Sequence, residues 1–225
     1  MSDPTASGPR PMSQAKLDNY NSPRGATAYK SDYERKLHRK VSDRWERQIF
    51  TRFFAVVGPV RSILDLPCGA GRLYPLFQDH AATVIEGDWS WSMLKLNRDD
   101  HSAGARGYVR ATGLAIPLRD RAVDMVVSVR LSHHLEREPD REQHLRELCR
   151  VADKAVILTF FSHWSLKNVL RRLRSPFNRK QPKNTLRSTQ VRRVAAECGF
   201  AVQALVPLSR IGSGHVFALL QRRPG

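Results

Sequence analysis

The feature that most constrains the fold is an alternation. Short apolar, β-branched runs occur at residues 62–66, 82–86, 107–110, 123–129 and 155–161, and helical patterns lie between most of them. Repetition of strand, helix and strand implies parallel strands joined by crossover helices on both faces of one sheet. The end of the chain departs from this rhythm. A helix over about 189–198 stops at Gly199, and apolar runs at 200–206 and 215–220 flank a loop from Ile211 to Gly214. That pattern predicts an antiparallel hairpin closing the sheet. The expected class is α/β: a doubly wound, mostly parallel seven-stranded sheet with a C-terminal antiparallel hairpin. A length of 225 residues suits one such domain with a single large core.

The N-terminal part reads differently. Residues 1–28 are rich in Pro, Ser, Gly and Asn and carry no apolar period, so a disordered tail is expected. Tyr29, Tyr33, Leu37, Val41, Trp45, Ile49, Phe53 and Val57 then recur every four residues, as a helical stripe does. Asp43 with Glu46 three later has the form of a capping box, which predicts two helices with a break near Ser42. Gly58-Pro59 ends the stripe. These helices, 29–57, are expected to form a lid. Asp140 with Gln143 predicts the start of a further helix, whose apolar face carries Leu145, Leu148 and Val151.

The first apolar run leads into Ile63–Arg72, which reads ILDLPCGAGR. In an open parallel sheet, ligands bind beyond the carboxyl ends of the strands, where strand order reverses. Gly69 and Gly71 permit close backbone approach there, with a helix N-terminus following. A tight strand-to-helix turn would need the same residues. The second run adds weight, because it ends in Glu86-Gly87-Asp88 followed by Trp89. A carboxylate about twenty residues beyond a glycine loop is placed to accept ribose hydroxyls, and the next aromatic can lie on an adenine face. Asp88 can also cap the helix that starts near Ser90.

With GYVRATGLAIPL over 107–118 and VDMVVSVRLSHHL over 123–135, four segments now stand in order at natural spacing. Together they resemble class I S-adenosylmethionine-dependent methyltransferases, and most of all their small-molecule and lipid-modifying branch. The resemblance runs from about Ser62 to Phe161. It implies a Rossmann-like fold over residues 29–225, and S-adenosyl-L-methionine as cofactor. It also implies roles: Asp65 for the donor's amino group, Cys68, Gly69 and Gly71 around the methionine portion, Asp88 for ribose and Trp89 over adenine. The acid that the family usually carries in the third-strand loop is replaced here by Thr112. Arg130, after the fourth strand, either pairs with the donor carboxylate or faces solvent. The chain lacks GxGxxG and a second domain, which disfavours a Rossmann dehydrogenase.

A sulfonium donor is already activated, so a general base is needed only for a hydroxyl or protonated amine acceptor. His133 and His134 are the candidates, with His133 the freer of the two and His134 the one expected to be structural. His163, just past the fifth strand, is another residue for the mouth. The chain lacks the Asn/Asp-Pro-Pro-aromatic signature of many nucleic-acid amino-methylases and a Cys placed to attack a pyrimidine. RNA ribose methylation stays open.

Charge bears on the partner. The formal net charge is +17, and from Lys154 onward fourteen Lys and Arg stand against one acid, Glu197. Such a field draws phosphate-rich partners, nucleic acid or an anionic membrane surface, unless it is only a solvated face. Residues 162–187 hold much of it. Trp164, Leu166, Val169, Leu170 and Leu173 alternate with Lys167, Arg171, Arg172 and Arg174, the pattern of a basic amphipathic helix. This segment is the expected substrate insertion.

Three function classes follow: a methyltransferase on a small-molecule, lipid or glycolipid acceptor, an RNA methyltransferase using the basic surface, and a non-catalytic S-adenosylmethionine-binding regulator. Nucleic acid is the less favoured partner. Three cysteines without metal-type spacing and no apolar leader predict a reduced, cytoplasmic protein without a metal, peripheral at the inner membrane face if the acceptor is lipidic.

Overall fold

The computed structural model describes residues 21–35, 37–101, 105–163, 184–209 and 213–224. Among these, seven strands form one sheet: β1 (Ser62–Asp65), β2 (Thr83–Asp88), β3 (Gly107–Arg110), β4 (Val123–Ser128), β5 (Ala152–Phe161), β6 (Phe200–Pro207) and β7 (His215–Arg222). Their spatial order is β3-β2-β1-β4-β5-β7-β6. The pairs β1–β2, β2–β3, β1–β4 and β4–β5 are parallel, and β7 is antiparallel to both neighbours. The chain winds outward from β1 to β3, then returns to start again at β4 on the other side of β1. The reversal opens a crevice beyond the carboxyl ends of β1 and β4.

Period-two alternation divides the strand side chains between two apolar layers. Leu64, Val126, Val156, Leu158 and Leu220 enter one layer, with Leu145, Leu148, Val191 and Val194 from α5 (Glu138–Val151) and α6 (Ser188–Glu197). Ile63, Met125, Val127, Ile157, Phe217 and Leu219 enter the other, against α2 (Leu37–Val57) and α3 (Tyr74–Gln78). Phe50 of α2 anchors that second layer. Its ring meets Phe77 edge-on at 5.6 Å and Phe217 at 5.8 Å.

Three expectations for the helices need correction. The tail does not run to residue 28: α1 (Pro23–Arg35) begins at Pro23. Ser22 Oγ accepts the Gly25 N–H at 3.0 Å, and Pro sits just inside the start, where it loses no intrahelical bond. Pro and Gly there mark a helix entry. The break between the two N-terminal helices is at residue 36, between Arg35 and Leu37, and α2 passes straight through Ser42. Asp43 and Glu46 therefore cap nothing and serve as side chains of a mid-helix face. Lastly, α5 starts at Glu138 with Pro139 in its first turn, so Asp140 is a first-turn acid rather than a cap.

The every-four stripe also turns out not to be one face. A four-residue step advances about 40° beyond a full turn of an α-helix, so the stripe precesses. Val41 and Trp45 are exposed, while Ile49 and Phe53 are buried. The side chains of Tyr29 and Tyr33, residues 1–20, and residues 164–183 of the basic insertion lie outside the described set. No helix among the described residues is long and apolar enough to cross a membrane.

Candidate functional site

β1 ends at Asp65, and the chain then turns over the neighbouring strand ends. Leu66 N–H donates to Val127 O at 2.9 Å and Cys68 N–H to Gly87 O at 2.8 Å, so the loop is laced to β4 and β2. Gly69 and Gly71 have φ of +57° and +75°, the left-handed region that favours glycine. A Cβ on Gly71 would lie 2.2 Å from Asn97 Oδ1. Asn97, on α4 (Trp91–Asp100), donates in turn to Glu86 Oε2 at 2.6 Å. Backbone thus packs directly on a polar side chain, and any larger residue would push the loop outward.

β2 ends at Asp88. Its carboxylate accepts the Gly69 N–H at 2.9 Å and the Ser90 N–H at 2.7 Å. The helix cap is Ser90, whose Oγ accepts the Met93 N–H at 3.1 Å. Asp88 instead joins the two loops and retains lone pairs for a ligand, since an ionised carboxylate offers about four acceptor sites.

Three acids are therefore crowded out of water. Burial, reinforced by Glu86 and Asp88, holds Asp65 well above the usual carboxylate range. Burial pushes Glu86 up to about 7, although Asn97 bonds to it. Burial pushes Asp88 up to about 6, against its backbone donors. Asp65 Oδ1 is buried without a hydrogen-bond partner. The arrangement is an acceptor-rich well that a cationic group would complete.

The well opens into a cavity of about 670 Å³. Asp65, Cys68, Gly69, Gly71, Asp88, Trp89, Thr112, Arg130 and His133 all line it, and of these Asp65, Cys68, Gly71 and Asp88 are buried. These nine candidates from the sequence meet at one place. Trp89 carries the Arg110 guanidinium 5.1 Å from its ring centroid, and Arg110 Nε donates to Trp89 O at 3.1 Å. Thr112 Oγ1 accepts the Leu114 and Ala115 N–H groups at 3.2 Å each and so shapes its own turn. That turn is pinned from α5. Glu147 Oε2 accepts the Ile116 N–H at 2.8 Å, and His144 Nδ1–H donates to Gly113 O at 2.8 Å.

His144 is a structural histidine that the sequence did not single out. His144 is fully buried, its Nε2 meets Ser128 Oγ at 3.0 Å, and burial lowers its pKa to about 4. Bonding to a carbonyl through Nδ1–H leaves Nε2 as the acceptor from Ser128. His134 is half-buried on a single turn, Ser132–His134, and lines the cavity beside His133, with ring centroids 4.1 Å apart. His133 also meets Phe161 at 4.6 Å and His215 at 5.3 Å. His163 bonds Thr185 Oγ1 at 3.1 Å and is not part of the cavity wall.

Arg130 has φ +65° and donates its N–H to Thr159 Oγ1 at 2.6 Å. Its guanidinium reaches Glu46 Oε1, while Glu46 Oε2 takes Arg72 Nη2 at 2.7 Å. Asp43 joins Arg72 and Arg47, and Arg47 Nη2 donates to Arg72 O at 3.0 Å. The buried Glu46 of α2 thereby fastens the N-terminal helices to both cavity loops. Further out, α1 rests on α4 through Lys30 and Asp100 at 2.6 Å, and both line the cavity. Sequence reasoning missed Glu46, Asn97, His144 and His215. Glu46 has the sequence form of a helix cap, and His215 has no local motif because only the β5–β7 pairing, His215 opposite Phe161, brings it to the site.

A model of a methyltransferase domain matches residues 64–160, the stretch that builds β1 to β5 and the cavity floor. Residues 64–160 therefore resemble a methyltransferase domain. A protein of Encephalitozoon cuniculi named as a methyltransferase is 33% identical over 89 residues, which are 40% of this chain and 39% of that protein. The chain thus matches well under half the length of that curated relative. Magnesium protoporphyrin IX methyltransferase from Synechocystis PCC 6803, solved with bound SAH, shares the fold with a TM-score of 0.74 at 15% identity, over 93% of this chain and 99% of that one. An S-adenosylmethionine-dependent methyltransferase from Clostridium acetobutylicum ATCC 824 does so with a TM-score of 0.68 at 12% identity, over 87% and 98%. The residues present fit a cationic sulfonium donor on their geometry: Asp65 lines the cavity and has a buried, unpartnered carboxylate oxygen, and the glycine loop has no room for a side chain at Gly71.

Proposed function

We propose that this chain transfers a methyl group from S-adenosylmethionine to a small or lipidic acceptor bearing a nucleophilic oxygen or nitrogen and an anionic group. When bound, the donor supplies a methyl already activated on a sulfonium. The observation that carries the reading is the division of one cavity between a carboxylate well and a basic, imidazole-lined mouth. In this reading Asp88 accepts the ribose hydroxyls and Asp65 the amino group. Trp89 covers the base, and Cys68 with the two glycines gives the methionine portion its room. Arg130, held by Glu46, stands where the donor ends and the acceptor begins.

His133 then takes the proton from an acceptor hydroxyl or ammonium, with Phe161 fixing its ring and His134 and His215 flanking it. Protonation of an imidazole near Arg130 also favours a negatively charged acceptor. The basic insertion, residues 162–187, enters and leaves the described chain beside this mouth, at His163 and Asn184. Asn184 Nδ2 donates to His133 O at 3.1 Å. An acceptor presented at an anionic membrane surface would suit that charge, with the protein peripheral to it.

The test is to incubate the full chain and isotopically methyl-labelled donor with a fractionated extract. Label in the lipid or small-molecule fraction, lost in His133→Ala, is the expected result. Label confined to RNA would overturn the acceptor class, and donor binding with no transfer into any fraction would point to a regulator.

A further inference from the structure

The three cysteines occupy three different settings. Cys68 is buried over the acid well, and burial and the nearby carboxylates push its thiol well up. The other two stand together at the opposite edge of the sheet. Cys149 lies in the last turn of α5, shortly before β5 begins, and Cys198 caps α6 just before β6 begins. Arg146 and Cys149 are three residues apart, on one face of α5; Arg146 pairs with Glu197, the residue before Cys198, and Cys198 packs against the same apolar cluster that holds Cys149.

The surrounding contacts hold this meeting in place. Arg146 Nη1 pairs with Glu197 Oε2 at 2.6 Å, and Arg193 bridges Glu142 of α5 and Glu197 of α6. On the other side, Arg222 Nη2 donates to Cys149 O at 3.1 Å while its guanidinium lies 4.5 Å from the Phe200 ring centroid. Cys149 is buried and Cys198 is half-exposed. The Cys149 thiol and Arg146 draw Cys198 down to about 7, and the same pairing raises Cys149. One thiol is thus reachable and more readily ionised than an ordinary cysteine, and its neighbour is shielded.

We propose that Cys198 and Cys149 form an oxidisable dithiol in which Cys198 reacts with a hydroperoxide and Cys149 resolves the product. The Cys198 thiolate attacks the terminal peroxide oxygen. An S–O bond forms, the O–O bond breaks, and the leaving alkoxide or hydroxide takes a proton to become an alcohol or water. Cys149 sulfur then attacks Cys198 sulfur. The S–S bond forms, the S–O bond breaks, and the departing hydroxide leaves as water with the Cys149 proton. The peroxide is reduced by two electrons and the two thiols are oxidised by two. The bridge closes a loop over residues 149–198, which encloses the whole basic insertion. Neither cysteine lines the cavity, so the donor site stays outside the chemistry.

The experiment treats the full chain with hydrogen peroxide at pH 7, then alkylates and maps it without reduction. The expected product has lost two hydrogens and yields a Cys149–Cys198 linked peptide, with Cys68 still a thiol. Before oxidation, Cys198 should alkylate at least roughly ten-fold faster than Cys68, as a half-exposed thiolate beside arginine does. Cys198→Ser should give no bridge. Cys149→Ser should leave a sulfenic acid on Cys198 that a dione probe captures. An unmodified Cys198 in the wild type, or Cys68 oxidised first, would overturn the proposal.

Discussion

Beneath the glycine loop, Asp65, Glu86 and Asp88 put three carboxyl groups out of water, whereas Arg72, Arg130, His133, His134 and His215 wall the mouth of the same cavity. The inner half is held by backbone: strand ends, two left-handed glycines and N–H groups on Asp88. The outer half is held by side chains drawn from β5, β7, a single helical turn and α2. This difference teaches where each kind of change should register. Damage to the inner half should appear as lost donor affinity, and damage to the outer half as lost turnover with the donor still bound.

The largest effect separates the halves by kinetics. His133→Ala should lower turnover by about 10²–10⁴-fold, the range for a positioned general base, while donor affinity stays within two-fold of wild type by roughly that measure. Steady-state assays paired with calorimetry decide it. Equal loss in both quantities would mean that the halves are not separable at His133.

Gly71→Ala attacks the inner half. The new Cβ would press on Asn97 in a conformation that alone disfavours alanine by about 1–2 kcal/mol, so donor binding should fall at least ten-fold and the chain should unfold at lower denaturant. Ordinary donor affinity in this variant would show that the loop has slack that its contacts deny.

Glu46→Gln tests the seam between the halves. It leaves two arginines facing a neutral amide in a buried place, and should destabilise the chain by roughly 1–3 kcal/mol. Chemical denaturation measures this. Donor affinity should fall less than in Gly71→Ala, since the loop retains its own strand-end bonds.

The smallest effect is a pH dependence. The pKa values of Asp65, Glu86 and Asp88 are raised in the folded state, so each contributes stability while protonated. That contribution is full below the unfolded value near 4 and is lost as pH rises through about 6 for Asp88 and about 7 for Glu86. A cationic donor favours the ionised forms. Its stabilising shift in melting temperature should therefore grow between pH 5 and about 8, and binding at neutral pH should release protons. A shift that shrinks with rising pH would contradict the carboxylate well.

The inner half was largely legible in the sequence because each of its parts is local. A strand ending in Asp, two glycines one residue apart, and a second strand ending in Asp followed by Trp state their chemistry within a few residues. The sheet followed from alternation and turn residues. What was not legible depends on long-range pairing. His215 reaches His133 only through the antiparallel β5–β7 register, and Glu46 meets Arg72 and Arg130 only once α2 lies across the strand ends. Glu46 and Asp43 imitate a capping box in sequence, and Ser22-Pro23 imitates a loop while starting a helix. His144 went unread because only the packing of α5 on β4 and on the turn after β3 buries it.

The most direct measurement is titration of S-adenosylhomocysteine into wild type, Asp88→Asn and His133→Ala under one buffer. Asp88→Asn preserves shape but replaces one acceptor oxygen by a donor, which should weaken binding by roughly 1–3 kcal/mol, or about 5- to 150-fold. The prediction is micromolar-range binding in wild type, that loss in Asp88→Asn, and near-wild-type affinity in His133→Ala. Binding that ignores Asp88, or that falls equally in His133→Ala, would contradict the division of the cavity into a donor well and an acceptor mouth.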